Sequence, residues 1–99
     1  MKAYTYRNKQ GEAFAIEIEG AIEEPDHWRY PILARHQQWG NKRFVAVIKK
    51  SKAGDRKAAD LFVMGHPMDS VRDLLEQTYE GSTPIVWDDA EKGWAVIPA

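Results

Sequence analysis

Three histidines, three serines and two pairs of adjacent acids are the residues of this 99-residue chain whose types invite catalysis, and their spacing argues against each in turn. His27, His36 and His66 are too far apart for the i, i+4 pair with which a helix grips zinc, and Asp26, next to His27, would point to the opposite face of a strand. Ser51 sits in a lysine-rich turn and Ser70 at a helix-capping position, while Ser82 lacks the strand, nucleophile and helix context that activates a hydroxyl. The pairs Glu23/Glu24 and Asp88/Asp89 are adjacent, whereas acid–base catalysis needs two carboxyl groups held in different environments across a cleft. The seven glycines never assemble the clustered loops that cradle phosphate. With no cysteine there is no thiolate, disulfide or cysteine nucleophile. The expectation is a non-enzymatic protein that folds without metal or cofactor.

Binding chemistry is better represented. The stretch HWRYPILARHQQWGNKR, residues 27 to 43, carries four cations, two histidines and three aromatics and no acid. Charge is segregated along the chain although the net charge is only -1. Residues 12–26 hold six acids and no cation; residues 27–54 hold seven cations and no acid; residues 60–91 hold eight acids against Arg72 alone. Arg29, Arg35, Trp39, Lys42 and Arg43 are the candidate partner-binding residues, because an arginine stacked on an indole still presents donors to a carboxylate or phosphate. The competing account is that an acidic strand at 12–19 lies beside a basic strand at 43–50 and neutralises it.

Two partner classes could use such a surface. A nucleic acid would be held through the basic segment 27–57 by phosphate contacts and base stacking, but a dedicated binder normally shows a basic excess that a pI near 6.3 denies. A protein partner needs only arginine and aromatic anchors with complementary potential. A protein partner is therefore the leading expectation: an adaptor, an accessory subunit or an inhibitor such as those bacteriophages carry. No apolar run approaches the ~20 residues that span a bilayer, and the N-terminal stretch lacks the apolar core of a signal peptide, so no membrane partner and a cytoplasmic location are expected.

The elements that must position these residues follow from periodicity. The length fits one α+β domain over residues 1–99. Phe14, Ile16 and Ile18 alternate with Ala15, Glu17 and Glu19 as in a half-buried strand, and turn chemistry before them marks an N-terminal hairpin. RFVAVIKK and ADLFVMG read as a second hairpin around a polar turn. Residues 69–80 change to helical spacing, with Val71, Leu74 and Leu75 apolar, Ser70 and Asp73 at capping-box distance and Gly81 placed to terminate. Pro31 and Gly40 frame a short helix over 31–39, preferred here to the edge strand that WRYPIL would also suit. Trp87 and Trp94 flank DDAEKG symmetrically and should face each other across a C-terminal hairpin. The sum is a mainly antiparallel sheet of five to six strands covered by one principal helix. The helix should pack Val71, Leu74 and Leu75 on Phe14, Ile16, Ile18, Val45, Val47, Leu61 and Val63.

Overall fold

The computed structural model describes residues 2–7, 10–37, 40–68 and 82–97. Its elements are β1 (Lys2–Arg7), β2 (Ala13–Ile18), β3 (Ile22–Glu23), β4 (His27–His36), β5 (Gly40–Lys49), α1 (Arg56–Gly65), β6 (Ser82–Asp88) and β7 (Gly93–Val96). Among the described residues one sheet contains seven strands in the order β1-β2-β4-β5-β6-β7, with β3 pairing the first part of β4 beside β2. Every pairing is antiparallel except that of β5 with β6. The sheet is therefore mixed, where a mainly antiparallel one was expected, and α1 lies in the long connection that a parallel pair requires.

Both terminal hairpins form as their sequences imply. β1 pairs with β2 in a register that sets Tyr6 opposite Phe14, and Gly11 takes a positive φ of 80° in the connecting loop, a conformation that glycine adopts without strain. β6 pairs with β7 and sets Trp87 opposite Trp94. In β2 the alternation of Phe14, Ile16 and Ile18 with Ala15 and Glu17 becomes a buried and a more exposed face.

Three expectations need correction. Residues 31–36 belong to β4 and not to a short helix, and β4 is a central strand, not an edge, held between β2 and β5. Proline is tolerated there because of where its nitrogen points. Glu19 N–H donates to the Pro31 carbonyl at 2.9 Å, so the Pro31 nitrogen, on the same side of the strand, faces the interval where β2 ends and β3 has not begun. Residues 59–65 are not a strand but most of α1. Asp55 caps that helix, its carboxylate accepting from Ala58 N–H at 2.8 Å, and Ala59 and Val63, one turn apart, are buried. Finally, β2 does not lie beside β5; β4 separates them. The helix expected over 69–80, with Val71, Leu74 and Leu75, lies outside the described residues.

The sheet curls around α1. At one edge, Lys2 Nζ donates to the Met64 carbonyl at 2.8 Å and Met68 N–H donates to Tyr4 Oη at 2.6 Å. At the other, Trp94 Nε1 donates to the His66 carbonyl at 2.8 Å. Both outermost strands thus reach the C-terminal turn of the same helix. The core inside the curl contains Phe14, Ile16, Ile18, Tyr30, Ile32, Phe44, Ala46, Ile48, Val63, Met68 and Ile85. Of the contacts expected for the helix, Phe14, Ile16, Ile18 and Val63 are core residues; Val45 and Val47 lie on the opposite face of β5, and Leu61 is 65% exposed. A strand would have put Leu61 and Val63 on one face, so the helix makes a direct prediction: Val63→Ala should cost about 2 kcal/mol and Leu61→Ala less than about 0.5 kcal/mol in denaturant melts. Equal losses would contradict the helical assignment.

Candidate functional site

The two central strands carry apolar residues on both faces. In β4, Trp28, Tyr30, Ile32 and Ala34 turn inward, leaving Arg29, Pro31, Leu33 and Arg35 on the outer face. In β5, Lys42, Phe44, Ala46 and Ile48 turn inward, leaving Arg43, Val45 and Val47 outside. The registers align these outer residues in rows. Leu33 lies opposite Arg43, Pro31 opposite Val45 and Arg29 opposite Val47; Val45 continues to Pro84 and Val47 to Val86, and Val86 to Ala95. The centre of the outer face is thus an aliphatic patch of Leu33, Val45, Val47 and Val86 with two prolines, half-buried except for the exposed Pro84, and α1 packs on the other face of the sheet.

The candidate residues are divided by this geometry. Arg29, Arg35 and Arg43 share the outer face and bracket the aliphatic patch. Lys42 points inward and is 3% exposed, so it is withdrawn from any docking surface. Trp39 lies outside the described residues, and Arg35 lies in the strand β4 and not in a helix. The other aromatics of the basic stretch, Trp28 and Tyr30, are buried. Trp28 Nε1 donates to the Ala53 carbonyl at 3.1 Å. Tyr30 Oη donates to Asp60 at 2.6 Å, and burial first, then that carboxylate, pushes its hydroxyl above the usual tyrosine range. Among the described residues the surface is therefore arginine and aliphatic in character.

Neutralisation is substantial but passes through different strands from those expected. Arg35 meets Glu17 of β2 at 3.6 Å, Arg29 meets Glu24 at 3.3 Å and Lys50 meets Glu23 at 2.6 Å. Exposed pairs of this kind are worth about 0–1 kcal/mol each, so they shape the field more than they hold the fold. No ion pair engages Arg43 among the described residues.

No family model, curated protein or solved structure matches this chain. Two groupings were not legible in advance. His36, its side chain 4% exposed, places Nε2 3.1 Å from Glu12 and its ring 4.7 Å from Phe14, which makes it an interior residue. Among the described residues no group of three or more His, Cys, Asp and Glu is placed to hold a metal ion. The second is an aromatic cluster at the C-terminal end of α1: His66 stacks on Phe62 at 4.2 Å, Trp87 lies 4.4 Å from His66, and Trp87 and Trp94 meet edge to face at 5.7 Å. The symmetric flanks of DDAEKG announced the tryptophan pair, but Phe62 and His66 joined it unannounced because their segment reads as a strand.

Asp89 ties this cluster to the loop after β5. Its Oδ1 accepts from Lys52 Nζ at 2.7 Å and from Trp87 Nε1 at 3.1 Å, and the Lys52 bond above all holds the carboxyl below its ordinary value of 3.8. Because the folded-state value is depressed, the associated stability is fully present above pH 3.8 and is lost as pH falls through the folded-state value. An NMR titration should find Asp89 below its ordinary value in the parent protein and closer to it in Lys52→Gln. No difference between the two would remove Lys52 as the cause.

Proposed function

We propose that this is a small non-enzymatic interaction protein, serving as an adaptor, accessory subunit or inhibitor, that docks on an acidic protein surface through the outer face of its sheet. One observation supports this reading most: the central strands are apolar on both faces, while α1 covers only one. A strand with a solvated face normally alternates apolar and polar residues, yet β4 and β5 place Leu33, Val45 and Val47 outward beside Arg29, Arg35 and Arg43. Aliphatic surface ringed by arginines is the composition of a protein-binding patch, with burial supplying affinity and the guanidinium groups supplying orientation. The partner that complements it presents carboxylates around an apolar centre. A nucleic acid fits less well, since Trp28 and Tyr30, which would stack on bases, are buried.

Arg43→Glu is the decisive variant, because it reverses a charge that no ion pair in the described fold uses. It should weaken retention of a nuclease-resistant protein partner at least tenfold, about 1.4 kcal/mol, while the melting curve stays unchanged. Leu61→Ala, on the exposed side of α1, should leave retention intact. Full retention by both Arg43→Glu and Arg35→Glu would sink the proposal, and loss of all material on nuclease treatment would transfer the face to nucleic acid.

A further inference from the structure

The direction in which β1 turns its main-chain groups follows from one hydrogen bond two strands away. Glu19 N–H donates to the Pro31 carbonyl, and these residues stand opposite each other one step beyond the Ile18 and Ile32 pair. Directly opposed residues that share hydrogen bonds recur at every second position of an antiparallel ladder, so Glu17 and Ala15 also turn their main-chain groups toward β4. Phe14, Ile16 and Ile18 then turn theirs toward β1, where their partners are Tyr6, Tyr4 and Lys2. Ala3, Thr5 and Arg7 are left with N–H and C=O groups directed away from the sheet. All three residues are exposed, and among the described residues nothing pairs with that side of β1.

Sheet edges are normally guarded by a lysine, a proline or a bulge. In β1 the pairing with β2 runs without a bulge, the Lys2 ammonium is drawn away to the Met64 carbonyl at 2.8 Å, and Ala3 to Tyr6 contain neither charge nor proline. The outward residues are also self-complementary. Two copies of β1 set antiparallel about a two-fold axis at Thr5 place Ala3 opposite the second copy's Arg7 and Thr5 opposite Thr5, each pair exchanging two main-chain bonds. An axis at Tyr4 would carry Arg7 past the end of the described strand.

The side chains favour the same register. Ala3 lies opposite Glu17 on the outer face, so the row reads Glu17, Ala3 and then the second copy's Arg7. Only a methyl group separates the carboxylate from the guanidinium, whose Cα atoms are two strand spacings, roughly 10 Å, apart, a span that two long side chains close. Among the described residues Glu17 is engaged by Arg35 at 3.6 Å, and Arg7 gives one guanidinium nitrogen to the Gly11 carbonyl at 2.6 Å, which leaves donors for a second acceptor. The axis repeats this contact at the other end of the edge, with a threonine pair between the two.

We infer that β1 is a self-association edge, through which two copies of this chain pair antiparallel about Thr5 and join their sheets into one. The pairing leaves Arg43 and the aliphatic patch uncovered and does not depend on their docking role.

Sedimentation equilibrium of the full chain from micromolar to submillimolar concentration tests the edge, with amide hydrogen exchange as a second readout. The expected result is a weak, reversible dimer, as suits so short an edge, in which the Ala3, Thr5 and Arg7 amides exchange more slowly as dimer accumulates. Thr5→Pro removes the N–H at the axis without touching the β1–β2 ladder and should abolish the dimer. Arg7→Glu sets a like charge toward Glu17 and should weaken it at least tenfold, whereas Arg43→Glu should leave it unchanged. A chain that stays monomeric throughout, a dimer that survives Thr5→Pro, or one that Arg43→Glu dissolves would each overturn the pairing. Should Thr5→Pro fail to fold, Arg7→Glu and the exchange rates decide, and an undiminished dimer or unprotected edge amides would overturn it equally.

Discussion

Phe14→Ala should destabilise this protein by about 3–5 kcal/mol, among the largest effects available from one side chain. Phe14 is fully buried, with its ring centroid 5.9 Å from that of Tyr6 and 4.7 Å from that of His36. It joins the N-terminal hairpin to the far end of β4, so truncation opens a cavity between two strand pairs and not at a margin. A loss of that size approaches the whole stability of a small domain, about 5–15 kcal/mol, and the midpoint of thermal unfolding should fall by more than about 12 °C. Should the alanine variant fail to fold, Phe14→Leu preserves most of the volume and should lose less, in a measurable two-state transition. An alanine variant within about 1 kcal/mol of the parent would show that the ring is not in the core.

The second large effect belongs to Trp94, and its contrast with Trp87 makes it diagnostic. Both tryptophans contribute to the same aromatic cluster, but Trp94 is buried and its N–H satisfies the His66 carbonyl, whereas Trp87 is half-buried and its N–H reaches the exposed Asp89. Trp94→Ala removes a buried ring and strands a carbonyl acceptor beneath the C-terminal turn of α1, for about 3–5 kcal/mol. Trp87→Ala removes partial burial and a hydrogen bond that water can replace, for about half of that. Urea midpoints at unchanged slope would measure both. A Trp87 loss equal to or larger than the Trp94 loss would mean that β7 is not anchored through His66.

The alternation of β2 and the symmetry of Trp87 and Trp94 around their turn were legible because each is a local pattern that the pairing only had to use. Two segments were read wrongly for physical reasons. LFVM is a contiguous apolar run with β-prone residues, and such a run cannot be assigned by periodicity alone; the aspartate that caps α1 at position 55 was the signal that outranked it. Pro31 and Gly40 suggested a helix because each suits a helix boundary, but proline is equally admissible wherever a strand has no acceptor for it to serve. At the candidate face, the arginines were visible as a charge excess. The aliphatic patch between them was visible too, in VAVI and PIL, runs that fail to alternate; only the register could show that half of each run faces away from the helix. Lys42 illustrates the converse, since charge alone does not reveal which face of a strand a residue takes.

Pro31 also limits the ways in which this sheet can be misassembled. A strand displaced by one residue exposes its core side chains, but one displaced by two keeps every side chain on its proper face, so hydrophobicity alone does not forbid the second error. In the native pairing β2 stops opposite Ile32 and donates once more, from Glu19, to the Pro31 carbonyl. Were β2 to slide two residues, so that Glu17 faced Pro31, a main-chain oxygen inside the ladder would meet a nitrogen with no hydrogen to give. The pyrrolidine ring thus acts as a register pin, excluding by a missing donor the slip that apolar patterning would have let pass.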